Sequence, residues 1–211
     1  MADDCCTPAS LSQPHIPAAE RRVLWIALVI NGLMFVAELI AGSHAASSSV
    51  QADSLDFLAD SANYAISLFV VAAAAAARAR AAWVKGASMI VLAGVVIVTT
   101  VVRLIHGDVP RPAVMSIIGI AAIIANLAVL GLLLSFRHGD ANRRSVWICT
   151  RNDVIGNVAV LLAATGVFAV GSIWPDTIVA IVMAYLGLRG GWQIVATARH
   201  ELDDARLAHR T

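Results

Sequence analysis

Six stretches of about 20 apolar residues, separated by short polar connections, take up nearly all of this chain. A hydrocarbon core about 30 Å thick takes about 20 residues of helix to cross. The pattern therefore admits few folds besides a bundle of membrane helices. Of the 211 residues, 59% are hydrophobic and 14% charged, and the mean hydropathy is +0.79. That balance excludes an ordinary soluble domain. The runs are continuous rather than alternating, which favours helices over a barrel. A net charge of +1 gives no footing to a nucleic-acid partner.

Taken in order, residues 1–20 read as a disordered tail, with Pro8, Pro14 and Pro17 and no apolar periodicity. They contain no signal-peptide apolar core, so the first apolar run is expected to stay as a span. The spans are expected at about 23–42, 50–77, 86–104, 113–136, 146–171 and 176–195, followed by a short charged tail at 196–211. Trp83, among Arg78, Arg80 and Lys85, reads as an interfacial aromatic. Three cysteines, Cys5, Cys6 and Cys149, do not make a disulfide framework.

Lys and Arg set the orientation. The N-terminal tail, the two-three loop, the four-five loop and the C-terminal tail carry two, three, three and three of them. The one-two and five-six loops carry none, and the three-four loop about two. By the positive-inside rule both termini are cytoplasmic. The expected fold is an all-α integral membrane protein, a six-transmembrane-helix bundle without a C-terminal soluble domain.

Span two breaks the apolar pattern. Asp56 and Asp60 are four residues apart and stack on one helix face. A bare carboxylate near the bilayer centre costs several kcal/mol, so its default reading is functional. Span five repeats the device with Cys149 and Asp153, again at i and i+4. At about 1.5 Å per residue, Asp60 lies about 16 Å in from Ser49 and Asp153 about 15 Å in from Arg143. The two pairs can meet at one depth. Three carboxylates and a thiol suit a four-coordinate divalent cation, Zn²⁺ first, with Cd²⁺ the softer alternative. Mg²⁺ and Ca²⁺ want six or more oxygens.

Several residues leave two readings open. Asp53 either extends the site outward or sits at an interface near a helix N-terminus. Cys149 is either a ligand or a small buried hydrophobe. Glu38 is either a surface or packing residue or part of a proton path. Arg151 points away from the pair, snorkelling or lining an inward cavity. Asn31, Asn63, Asn126 and Asn157 are expected to hydrogen-bond between helices, and the small residues Ala72–Ala77 and Gly187, Gly190 and Gly191 to allow close helix contacts. Cys5, Cys6, His200 and His209 are weak candidates for metal capture by otherwise idle tails.

The run Asn31…Glu38-Leu39-Ile40-Ala41-Gly42, followed by Ala52-Asp53-Ser54-Leu55-Asp56-Phe57-Leu58-Ala59-Asp60, resembles the first two spans of the cation diffusion facilitator (cation efflux) transporters. Cys149-x-x-x-Asp153-Val154-Ile155-Gly156-Asn157-Val158 is similar to their fifth span, and Trp174-Pro175-Asp176 to the start of their sixth. The likeness covers about residues 21–195. It implies that Asp56, Asp60, Cys149 and Asp153 hold the transported metal. It also implies export from the cytoplasm in exchange for protons, by a transporter rather than an enzyme. No tightly bound cofactor is expected; the partners are the metal, protons and the lipid of a bacterial inner (plasma) membrane, with a homodimer left open. Cys149 stands where the family usually has His or Asp, and the family's cytoplasmic C-terminal domain does not follow span six. A non-transporting metal-sensing or assembly subunit and a soft-metal importer are the rival readings.

Overall fold

The computed structural model describes residues 18–70, 75–134 and 141–208. Within them, the side chains of 70, 75, 141–152, 155 and 204–208 lie outside the description. Among the described residues the structure is all helical: α1 (Ala18–Ala45), α2 (Ser48–Ala65), α3 (Ala75–His106), α4 (Pro112–Leu132), α5 (Ala141–Val170) and α6 (Trp174–Ala208). A π-helical turn, Ile66–Val70, extends α2. Helices satisfy their own backbone groups, which is what a lipid environment demands.

Four stretches are long and apolar enough to cross a membrane: Ala18–Ala45, Ala76–His106, Pro112–Leu132 and Trp174–Asp203. The helices outside that set are α2 and α5. α2 carries Asp53, Asp56 and Asp60, and the apolar part of α5 is the shorter stretch Gly156–Val170.

Packing explains how α2 tolerates its acids. It touches all five other helices, which neighbour one another in the order α1, α4, α5, α6, α3 around it. None of its residues is exposed. The surrounding helices turn large apolar side chains outward instead, such as Leu33, Val91, Ile105, Ile117, Phe168 and Trp192. An apolar exterior around a polar central helix suits a bilayer as solvent.

Small residues set the closest crossing. A Cβ on Gly86 would lie 2.8 Å from the carbonyl oxygen of Gly191, and one on Gly191 would lie 2.9 Å from that of Gly86. The expected close contact at Gly191 is therefore present, between α3 and α6. A Cβ on Gly187 would meet Leu55 of α2 at 3.1 Å. Ala72–Ala74 lie outside the described residues, and Ala75–Ala77 belong to α3 rather than to the end of span two.

That boundary is a correction. Arg78, Arg80, Trp83 and Lys85 were expected in a two-three loop, yet they ride on the first turns of α3. Alanine, arginine and lysine are strong helix formers, and without Gly or Pro nothing stops the helix there. Ala18–Glu20 likewise begin α1 rather than ending a disordered tail. α6 runs on through Ala208, so the charged residues after Arg199 are helical up to that point.

One end of the bundle is tied by a single carboxylate. Asp176, in the first turn of α6, accepts from Ser47 Oγ (2.6 Å), Ser48 N (2.8 Å), Ser49 N (3.1 Å) and Ser49 Oγ (2.6 Å). Ser47 is also the N-cap of α2, accepting from Val50 N at 3.2 Å. An anion at a helix N-terminus is favoured by the dipole and by the unpaired N–H groups there. Arg103 of α3 donates to Ser48 Oγ at 3.1 Å and turns its charge toward Asp176. The amide of Arg111, just before α4, donates to Ala45 O at 2.8 Å. The α1–α2 turn is thus fastened to α3, α4 and α6 together.

Candidate functional site

The i, i+4 spacing of span two survives in three dimensions. Asp56 and Asp60 lie on the continuous helix α2, and Asp60 is buried. Their charges act on each other, as stacking one turn apart requires. Asp60 is in hydrogen-bond contact with Asp153 of α5, and Tyr64 donates to its Oδ2 at 3.4 Å. Asp56 faces the same helix, since a Cβ placed on Gly156 would be 3.8 Å from its Oδ2. The absence of a side chain at Gly156 leaves room for that carboxylate.

The structure therefore brings Asp60 and Asp153 together across α2 and α5, with Asp56 against α5 one turn away. Cys149 lies on α5, but its side chain is outside the described residues, as are those of Arg151 and of Cys5 and Cys6. Among the described residues no three His, Cys, Asp or Glu side chains form a group that could hold a metal ion.

Two carboxyl groups in contact cannot both be bare anions. One must carry a proton to donate, or a cation must stand between them.

Four further residues belong to this neighbourhood. Glu38 of α1 is 1% exposed and Asp53 of α2 is equally buried, so Glu38 is not a surface residue. The two acids act on each other, and none of their four carboxyl oxygens has a hydrogen-bond partner. A second pair of buried acids thus stands near Asp56, whose charge acts on both. Lys85 of α3 is 3% exposed and donates from Nζ to Asn63 Oδ1 of α2. Its positive charge acts on Asp60.

A signal for Glu38 and Lys85 was present in the sequence. Glu38 continues the buried stripe Leu24, Ala27, Asn31, Gly42 and Ala45 of α1, all three or four residues apart or a turn multiple of it. Lys85 falls in the stripe Ala79, Ala82, Met89, Ala93 and Val96 of α3. A charge on the buried stripe of a helix points inward.

The asparagines divide. Asn63 reaches another helix, as expected. Asn31 and Asn157 instead donate to carbonyls one turn back in their own helices, Ala27 O at 2.9 Å and Asp153 O at 2.8 Å. A carbonyl at i−4 is always within reach of a short amide, so it wins over a partner across the interface. Asn126 is buried with its Oδ1 unpaired.

Comparison with known proteins agrees with this architecture. The family model described as the cation efflux transmembrane domain matches residues 24–202. The chain is 27% identical over 205 residues to a cadmium, cobalt and zinc/H(+)-K(+) antiporter of Bacillus subtilis, covering 89% of this chain and 65% of that protein. It is 26% identical over 192 residues to the zinc transporter ZitB of Yersinia pseudotuberculosis, covering 85% of this chain and 62% of that protein. The metal cation efflux system protein CzcD of Cupriavidus metallidurans is 24% identical over 217 residues, with 95% of this chain and 68% of that protein covered. The chain thus spans about two thirds of the length of these relatives. With a family model matched over most of its length and four helices able to cross a bilayer, this membrane protein belongs to the cation efflux transmembrane domain family.

Proposed function

We propose that this protein carries a divalent transition metal out of the cytoplasm in exchange for protons. Zn²⁺ is the first candidate and Cd²⁺ the second, with Asp56, Asp60, Cys149 and Asp153 as the metal ligands. The observation that carries the reading is the approach of Asp60, which is buried, to Asp153, whose Oδ2 is shielded from solvent, on different helices of an otherwise apolar bundle. Relatives named for zinc, cadmium and cobalt support the choice of metals, and a relative named as a proton antiporter supports the counter-ion.

The mechanism follows from the ligand chemistry. Carboxylates and thiols bind metal in their deprotonated form, so metal arriving from the cytoplasm displaces the protons that an empty acidic cluster holds. Metal leaving on the far side lets protons return. Alternate exposure of the site to the two sides then exchanges one for the other. All six helices cross in this reading, with α2 and α5 admitted because their acids face inward. Both termini are cytoplasmic, and the membrane is a bacterial inner membrane, as bacterial relatives suggest. A homodimer is compatible with this arrangement.

The test is zinc flux in proteoliposomes holding the purified protein under an imposed pH gradient. Zn²⁺ should accumulate in the compartment that is made acidic, and the flux should collapse when a protonophore removes the gradient. No zinc flux in either direction would favour a non-transporting subunit. Zinc moving only with its own gradient would remove proton exchange from the mechanism.

A further inference from the structure

We propose that Glu38 and Asp53 form a proton-carrying pair, separate from the metal ligands, that gives up a proton when the metal binds nearby and takes one back when it leaves. The inference rests on the site assigned above and deepens it, by naming groups outside the ligand set that hold an exchanged proton.

Packing between α1 and α2 sets the two acids at one level. A Cβ on Gly42 would lie 2.7 Å from Gln51 Cγ, and one on Gly32 would lie 3.9 Å from Ser61 Oγ. The two helices are therefore antiparallel in a fixed register. Glu38, one turn before Gly42, comes level with Leu55, one turn beyond Gln51, and Leu55 stands between Asp53 and Asp56. Both acids are buried, and none of their four carboxyl oxygens has a hydrogen-bond partner, the ligands Asp56 and Asp60 included. A bare carboxylate there would have nothing to replace its lost water, so each acid keeps its proton while the site is empty. Among the described residues no third His, Cys, Asp or Glu completes a metal-holding group with them. A proton needs one oxygen, so it fits where a divalent metal lacks donors.

Charge decides when the proton leaves. Among the described side chains of α2 to α6, the ionisable groups not exposed to solvent are Asp56, Asp60 and Tyr64 of α2, Lys85 and Arg103 of α3, Asp153 of α5 and Asp176 of α6. α4 has none. Of these, Asp56 is about one turn from Asp53 on the same helix. A divalent cation on Asp56 brings two positive charges to that level, which favours the anionic form of a neighbouring acid. The pair then releases a proton to water, and the carboxylate left behind offsets part of the metal's charge. Polar groups continue from the pair toward the α1–α2 turn. Gln51 Nε2 donates to Ser43 Oγ at 2.9 Å, and Thr99 Oγ1 to Gln51 Oε1 at 3.3 Å, with Ser43 exposed. In the reading above that turn is on the far side of the membrane, where protons enter.

The experiment is Zn²⁺ titration calorimetry of the purified chain at one fixed pH, in buffers of different ionisation enthalpy, which counts the protons released per Zn²⁺ bound. The double variant Glu38→Gln with Asp53→Asn mimics the neutral acids in shape and polarity. It should still bind Zn²⁺, within about tenfold of wild type, and release about one proton fewer for each ion. Infrared difference spectra on Zn²⁺ addition extend the test to the single variants, should the double variant not fold. The protonated-carboxyl band that wild type loses should shrink in Glu38→Gln, in Asp53→Asn or in both. A wild-type proton count in the folded double variant, or an unchanged band in both single variants, would overturn the inference. So would loss of Zn²⁺ binding in the folded double variant, which would make the pair ligands. Asp60→Asn separates the two claims. If it binds Zn²⁺ as wild type does, the site reading itself fails. If it loses Zn²⁺ while the double variant releases as many protons as wild type, the site stands and only the role of the pair is lost.

Discussion

Asp60→Asn is expected to stop metal transport while leaving the protein folded. The substitution keeps the shape of the side chain and an oxygen for Tyr64 to donate to, so the α2 contacts can persist. It removes the anionic ligand that meets Asp153 across α2 and α5. Losing even a residue that supports a metal ligand from behind typically costs 10–100-fold in affinity or activity. Losing a ligand itself should cost about 100-fold or more in Zn²⁺ flux. Asp153→Asn should match it, because the two carboxyls act as a unit. The check is initial zinc uptake into proteoliposomes at equal protein incorporation, with a monodisperse gel-filtration peak as the measure of folding. Flux within a few-fold of wild type in either variant would remove these carboxylates from the site.

Asp176→Ala should have the largest effect on stability. Asp176 is 1% exposed and accepts from two backbone amides and two hydroxyls of Ser47, Ser48 and Ser49. Alanine leaves those buried donors without an acceptor and leaves Arg103 without its facing charge. Each orphaned buried donor costs about 1–3 kcal/mol, and breaking a buried charged cluster by removing one partner costs about 3–5 kcal/mol. A loss of about 3–5 kcal/mol is the expected outcome, read as the shift in the unfolding transition of the protein in mixed micelles. Hydrogen exchange at the Ser48 and Ser49 amides should accelerate with it. A shift below about 1 kcal/mol would mean that the tie between the α1–α2 turn and α6 is replaceable by water.

The helical bundle and the α2–α5 encounter were legible in the sequence for a common reason. Apolar length reports on spans, and the i, i+4 spacing of Asp56 and Asp60 reports on one face. Equal depth from opposite ends then placed Asp60 opposite Asp153. The boundary near Lys85 was not legible in the same way, because charges in a polar stretch look alike whether they sit in a loop or on a helix. Continuous alanine through Arg78 and Arg80 favoured helix, and only the stripe through Ala79, Ala82 and Met89 shows that Lys85 turns inward. The Asp176 cluster was hidden for another reason. It joins residues about 130 positions apart in the chain, and no local periodicity encodes a contact at that separation. Trp174-Pro175-Asp176 marked where a helix begins without showing what its carboxylate would hold.

The central claim is that a divalent metal sits between α2 and α5 on Asp56, Asp60, Cys149 and Asp153. It is tested most directly by X-ray absorption at the zinc edge on purified protein loaded with one equivalent of Zn²⁺. The expected first shell is oxygen at about 2.0–2.2 Å with one sulfur at about 2.3 Å. The sulfur should vanish in Cys149→Ala, and the bound zinc itself should be lost in Asp60→Asn and Asp153→Asn. A zinc shell that is the same in wild type and in both aspartate variants would place the metal elsewhere and contradict the account.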